Sequence, residues 1–115
     1  MAVYKVLQII STGSHSDAEQ ELRRNTIFQP TREAIVAAWD MYDIACYIKA
    51  DDLDEVFEIG NIGPEEHIER VGPMHSISVG DIIVDTHYGV AWYVNSFDFG
   101  QLGTVHHGKA SGRAR

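Results

Sequence analysis

Residues 2 to 10, AVYKVLQII, place Val3, Leu7 and Ile9 on one parity and Tyr4, Val6 and Ile10 on the other. A strand that is apolar on both parities is one covered on both faces of its sheet. STGSHSD then reads as a loop. Ser16, with Glu19 three residues on, forms a capping-box pattern that predicts a helix from Asp17 to about Arg24. Only Ala18 and Leu22 are apolar in it, so it is expected on the surface. After Pro30, Thr31 is placed to cap a second helix in which Ala34, Ile35, Ala38 and Trp39 recur at helical spacing. Tyr42 to Lys49 alternates Tyr42, Ile44, Cys46 and Ile48 against Asp43, Ala45, Tyr47 and Lys49, the period of a strand with one wetter face and Cys46 turned inward.

Asp51 can cap a third helix, with Leu53, Val56 and Phe57 on one side and Asp52, Asp54, Glu55 and Glu58 on the other; Gly60 is expected to end it. Pro64 suits the start of a short helical turn through Glu69. HSISVGDIIV joins a turn-like Gly80-Asp81 to an apolar strand. Val90 to Val94 supplies its neighbour, and Gly89 of the intervening DTHYG is available for a positive φ, so a hairpin is expected. The predicted class is α+β: a small, mostly antiparallel sheet with a C-terminal β-hairpin and two to three short helices packed on it. Phe97 and Phe99 close the expected single domain, residues 1–102, and GTVHHGKASGRAR, residues 103–115, reads as a flexible basic tail.

Charge sharpens this picture. The net charge of −8 conceals a division: residues 103–115 hold Lys109, Arg113 and Arg115 with no acid, while residues 1–102 carry six bases against 17 acids, a balance of −11. Ten of those acids lie between Asp40 and Glu69, with Lys49 the one base among them. Such a field repels nucleic-acid phosphates and attracts basic partners, so the body is not expected to bind nucleic acid directly. One cysteine excludes an internal disulfide and a thiolate zinc cluster, and a reducing, cytoplasmic setting is the simplest expectation. The N-terminal apolar run is short and interrupted by Lys5 and Gln8, which supports neither secretion nor membrane spanning.

The candidate chemistry is thin. Six histidines show no HxxxH or HExxH spacing, and Asp85 with His87 would give two ligands, which do not make a metal site. Cys46 sits among apolar parity mates, as a core thiol does. No GxSxG elbow surrounds Ser76, Ser78 or Ser96, and GNIG and VGP lack the spacing of a phosphate loop, so no cofactor is expected. Two candidate surfaces stand out. The first is acidic: Asp51, Asp52, Asp54, Glu55, Glu58, Glu65, Glu66 and Glu69, either a solvated face or a recognition surface imitating a nucleic-acid backbone. The second is a pocket framed by the hairpin, with Ser78, Asp81, Asp85, His87, Asn95 and Asp98.

Certain blocks also resemble those of the YodL-like domain, a small module found in bacteria, phages and mobile elements. They are Tyr4 and Gln8 of YKVLQ; Tyr42 of YDIACY; Leu53 to Phe57 with Asn61; Ser76 to Val79 with Asp81 to Val84; and Tyr93 to Phe97 with Phe99. The resemblance spans about residues 3 to 102. The chain departs from the pattern at Gly80, where a serine is usual, at Asn95, where an aspartate is usual, and at Asp98, where a glycine is usual. The resemblance implies no catalytic residue. It implies a phage or mobile-element setting, hence an accessory protein that binds and modulates a host protein with a basic surface in the host cytoplasm, as a nucleic-acid mimic or anti-defence inhibitor. The alternative is a small enzyme or ligand-binding domain using the hairpin pocket, and a homodimer through an edge strand is a further expectation.

Overall fold

The computed structural model describes residues 2–9 and 16–104. Strand β1 (Ala2–Gln8) lies in the middle of the sheet, as its two-sided apolar pattern requires, with antiparallel neighbours β2 (Asp43–Ala50) and β4 (Ile82–Asp85). With β3 (Ile68–Arg70), β5 (Val90–Val94) and β6 (Phe99–Thr104) the sheet has six antiparallel strands in the order β3-β2-β1-β4-β5-β6. Helices cover both faces. Helix α1 (Asp17–Phe28) and α2 (Arg32–Ala37) close one of them, where Ile35 of α2 joins a core with Leu7, Ile9, Tyr42, Ile82 and Val84. Helix α3 (Leu53–Asn61) closes the other over Tyr4, Val6, Cys46, Ile48, Ile77 and Ile83. The α+β class, the antiparallel sheet and the β4–β5 hairpin are as expected.

The helix starts follow the side-chain chemistry. Ser16 and Glu19 exchange both capping-box bonds at α1, and the Thr31 hydroxyl accepts from the Ala34 amide at α2. In the β4–β5 turn, Asp85 Oδ1 accepts from the His87 and Tyr88 amides and Gly89 takes a φ of 74°.

Several expectations are corrected. Helix α1 runs four residues beyond Arg24, and its last turn buries Thr26. Strand β2 does not keep one parity. Val6 pairs with Cys46 but Leu7 pairs with Ile44, so Ala45 is an extra residue, and this bulge sends Ile44 to the α1–α2 face while Cys46 stays under α3. In α3 the inward positions are Leu53, Val56 and Ile59, whereas Phe57 points outward at 38% exposure. Gly60 lies inside the helix, where a Cβ would collide with the Ile77 side chain, so the residue permits close packing and does not end the helix. The expected helical turn after Pro64 is one 3₁₀ turn (Glu65–His67) running straight into β3. Ser76 to Val79 forms a loop, and the strand begins only at Ile82. Phe99 opens another strand, which carries the folded body to Thr104, two residues past the expected boundary. The rest of the expected tail, residues 105–115, lies outside the described residues. No helix among the described residues is long and apolar enough to cross a membrane.

Candidate functional site

The eight acids do not share one surface. Asp52 caps α3, its Oδ1 accepting from the Glu55 amide at 2.8 Å, and Glu55 Oε1 in turn accepts from the Asp51 amide at 2.8 Å. These three charges thus sit at the positive end of the helix, where carboxylates stabilise it. Asp54 and Glu58, one turn apart, form an exposed strip on the outer face, with the exposed Phe57 to one side of it. Ile62, just past the helix, is 84% exposed. No basic residue occurs in α3.

The other three acids behave differently. Glu65 makes a two-pronged ion pair with Arg70, both exposed, which holds the Glu65 carboxyl below its usual range and cancels its charge locally. Glu69 pairs across the sheet with Tyr47, so it lies on the opposite sheet face from Ile48 and Ile68, which pack beneath α3. Glu66 and Glu69 line a groove of about 380 Å³ there with Val3, Tyr47, Lys49 and His67. A continuous eight-acid imitation of a nucleic-acid backbone is therefore not formed. The surviving unit is the α3 group, Asp51, Asp52, Asp54, Glu55 and Glu58, beside an exposed phenylalanine.

The hairpin pocket divides too. Asp85, the last residue of β4, and His87 in the following turn lie at the far end of β4 from Asp81, and four residue steps along the strand, about 13 Å, separate Asp81 from Asp85. Asn95 and Asp98 close the β5–β6 turn, the Asn95 amide donating to the Asp98 carbonyl at 2.8 Å and Asn95 Oδ1 accepting from the Ser96 amide. The six residues thus fall into three separate local pairs, the third being Ser78 and Asp81, where the Ser78 amide donates to Asp81 Oδ2 at 2.9 Å.

Around Asp81 lies a polar knot that the search for catalytic patterns passes over. Gln8, wholly buried on β1, donates from Nε2 to Asp81 Oδ2 at 2.9 Å and to the His75 carbonyl at 3.0 Å, while its Oε1 accepts from the His75 amide at 3.2 Å. Tyr42 donates its hydroxyl to the Gly80 carbonyl, and Asn61 Nδ2 donates to the Ile77 carbonyl at 3.1 Å. Asp81 is 5% exposed, and burial pushes its carboxyl up to about 6, against the opposing pull of the Ser78 amide, His75, Gln8 and Arg23. Burial, with the charge of Asp81 nearby, also raises the Tyr42 phenol. The cleft beside them, lined by Arg23, Thr26, Tyr42, His75, Gly80 and Asp81 among others, has about 40 Å³, room for a water or two. Gln8, Tyr42, Asn61 and Asp81 thus fasten one loop, residues 75–81, to β1, β2, α3 and the hairpin.

Cys46 is wholly buried, and burial pushes its thiol up to about 12, leaving almost no thiolate at neutral pH. No group of three potential metal ligands occurs among the described residues. Comparison of the chain with family models, curated proteins and solved structures finds no match.

Proposed function

We propose that this protein is a non-enzymatic interaction module whose α3 outer face grips a basic surface on another protein. The observation that carries the reading is the combination on one helix: Asp54 and Glu58 exposed beside the exposed Phe57, Ile62 exposed just past the helix end, and no base within the element. An aromatic anchor beside charged residues suits a protein interface, because the ring supplies buried area while the charges steer and orient the partner. The loss of Glu65, Glu66 and Glu69 from this face favours a compact protein contact over imitation of an extended nucleic-acid backbone. The YodL-like resemblance adds the proposed setting, a phage or mobile-element accessory protein acting on a host protein in the host cytoplasm.

The test is capture from host lysate followed by affinity measurement on the identified partner. Reversing Asp54 and Glu58 to lysine is expected to weaken binding by at least tenfold, and Phe57→Ala by a similar factor, while both proteins remain folded. Unchanged affinity in both variants would sink the reading.

A second reading, a small-ligand site at Asp81, is favoured by the raised carboxyl beside Arg23 and His75. The 40 Å³ cleft limits such a ligand to the size of a water or a small ion. Titrating small ions while following the amide resonances of residues 75–81 distinguishes saturable binding from none.

A further inference from the structure

The two edges of the sheet differ in kind. One edge, β3, has three residues, two of them the charged Glu69 and Arg70, and follows a 3₁₀ turn that opens at Pro64. Short, charged edges resist pairing with other strands. The other edge, β6, has the sequence FGQLGT, with no charge and no proline over six residues. No strand among the described residues lies outside it.

The register says which groups β6 offers. The Asn95 amide donates to the Asp98 carbonyl, making this the hydrogen-bonded pair that closes the turn. Alternation along an antiparallel ladder then makes Val94–Phe99 a non-bonded pair, Tyr93–Gly100 a bonded one and Trp92–Gln101 non-bonded. The amides and carbonyls of Phe99 and Gln101 therefore point away from β5, along the free edge. Leu102 is the extra residue of a bulge between Gln101 and Gly103, and its carbonyl is approached by Arg32 Nη2 at 3.5 Å. Phe97, in the turn just before β6, is 100% exposed, and Val36, on the α2 helix that packs against β6, is 53% exposed. An uncharged edge with free backbone groups is thus bordered by two exposed apolar side chains.

We infer that β6 is a self-association edge, joining a second copy of this chain in an antiparallel pair centred on Gln101. In that arrangement Gln101 of each copy exchanges N–H···O=C bonds with its counterpart, and the two sheets become one of twelve strands. In this register Phe99 meets Gly103, Gly100 meets Leu102 and Thr104 meets Asp98, so the one charged residue faces a neutral one and no like charges stand opposite one another. The acidic bodies oppose the approach from a distance, which gives the dimer a distinctive salt response. Helix α3 packs over β2, four places along the sheet from β6, so each copy keeps its outer helix face free and the dimer presents two of them.

Sedimentation equilibrium of the full chain tests this. Raising salt from about 0.1 M to about 1 M shortens the screening length from about 10 Å to about 3 Å and is expected to strengthen the dimer. Gln101→Lys, which sets two like charges at the two-fold axis, and Gln101→Pro, which removes an outward amide without touching the β5 ladder, are each expected to weaken it at least tenfold. Gln101 is exposed, and circular dichroism of both variants checks the fold. A wild-type chain that stays monomeric at high concentration in both salts overturns the inference. So does a dimer that neither folded variant weakens.

Discussion

Gly80 concentrates the constraints of this fold in one residue. Its amide donates to the Val94 carbonyl at 2.9 Å, its carbonyl accepts from Tyr42, its φ is +95°, and a Cβ would stand 2.6 Å from the Thr26 carbonyl of α1. Gly80→Ala is therefore expected to cost at least about 1–3 kcal/mol in urea denaturation, from left-handed strain and the clash together. Asp81 next to it makes stability depend on pH. Its folded carboxyl, near 6, lies above the ordinary 3.8, so between those values the native state holds a proton that the unfolded chain has released. Stability from this group is full below about pH 4 and is lost as pH rises through 6, a change on the order of 3 kcal/mol. Asp81→Asn, neutral and of the same shape, is expected to flatten that portion of the profile while keeping the Ser78 bond; an unaltered slope would assign it to other groups. None of this was legible from Gly80-Asp81 read as a turn, because the partners Gln8, Thr26 and Tyr42 lie far away in sequence.

The elements divide by how strongly local chemistry specifies them. The caps at Ser16 and Thr31 and the alternation around the β4–β5 hairpin were readable, since each depends on residues within a few positions. Strand β6 was not. FGQLGT has two glycines and little β-branching, and it becomes a strand because β5 offers a ladder and Tyr93 packs where Gly100 leaves room. The end of α1 was missed for a related reason: Thr26 is polar, yet it is buried where α1 meets the loop at Gly80. For α3 the reading put Phe57 inward, and this error concealed the best feature of the candidate site. Helical geometry allows only one of Phe57 and Ile59 to face the sheet, and Ile59 takes that place. Ile59→Ala is accordingly expected to cost about 2–5 kcal/mol, whereas Phe57→Ala should cost far less in the same denaturation assay. Reversal of that order would mean that the helix is rotated about its axis.

At the scale of the molecule, the two proposed contact surfaces are separated in space. Asp54, Phe57 and Glu58 face outward over one sheet face, β6 forms the far edge, and Glu66 and Glu69 line a groove on the opposite face. Net charge could be counted from the sequence, but its partition could not, because the β2–β3 register decides on which face each acid of β3 falls. The partition gives opposite salt responses to the two proposed contacts: partner binding through α3 should weaken as salt rises, while pairing through β6 should strengthen. The central claim concerns α3, and photo-crosslinking in host lysate tests it most directly. A benzophenone side chain placed at position 57 is compared with one at position 88, an exposed aromatic position on the β4–β5 turn. A single stoichiometric adduct from position 57, lost when Asp54 and Glu58 are reversed and missing from position 88, is the predicted result. No adduct at 57, or the same adducts from both positions, would contradict the claim.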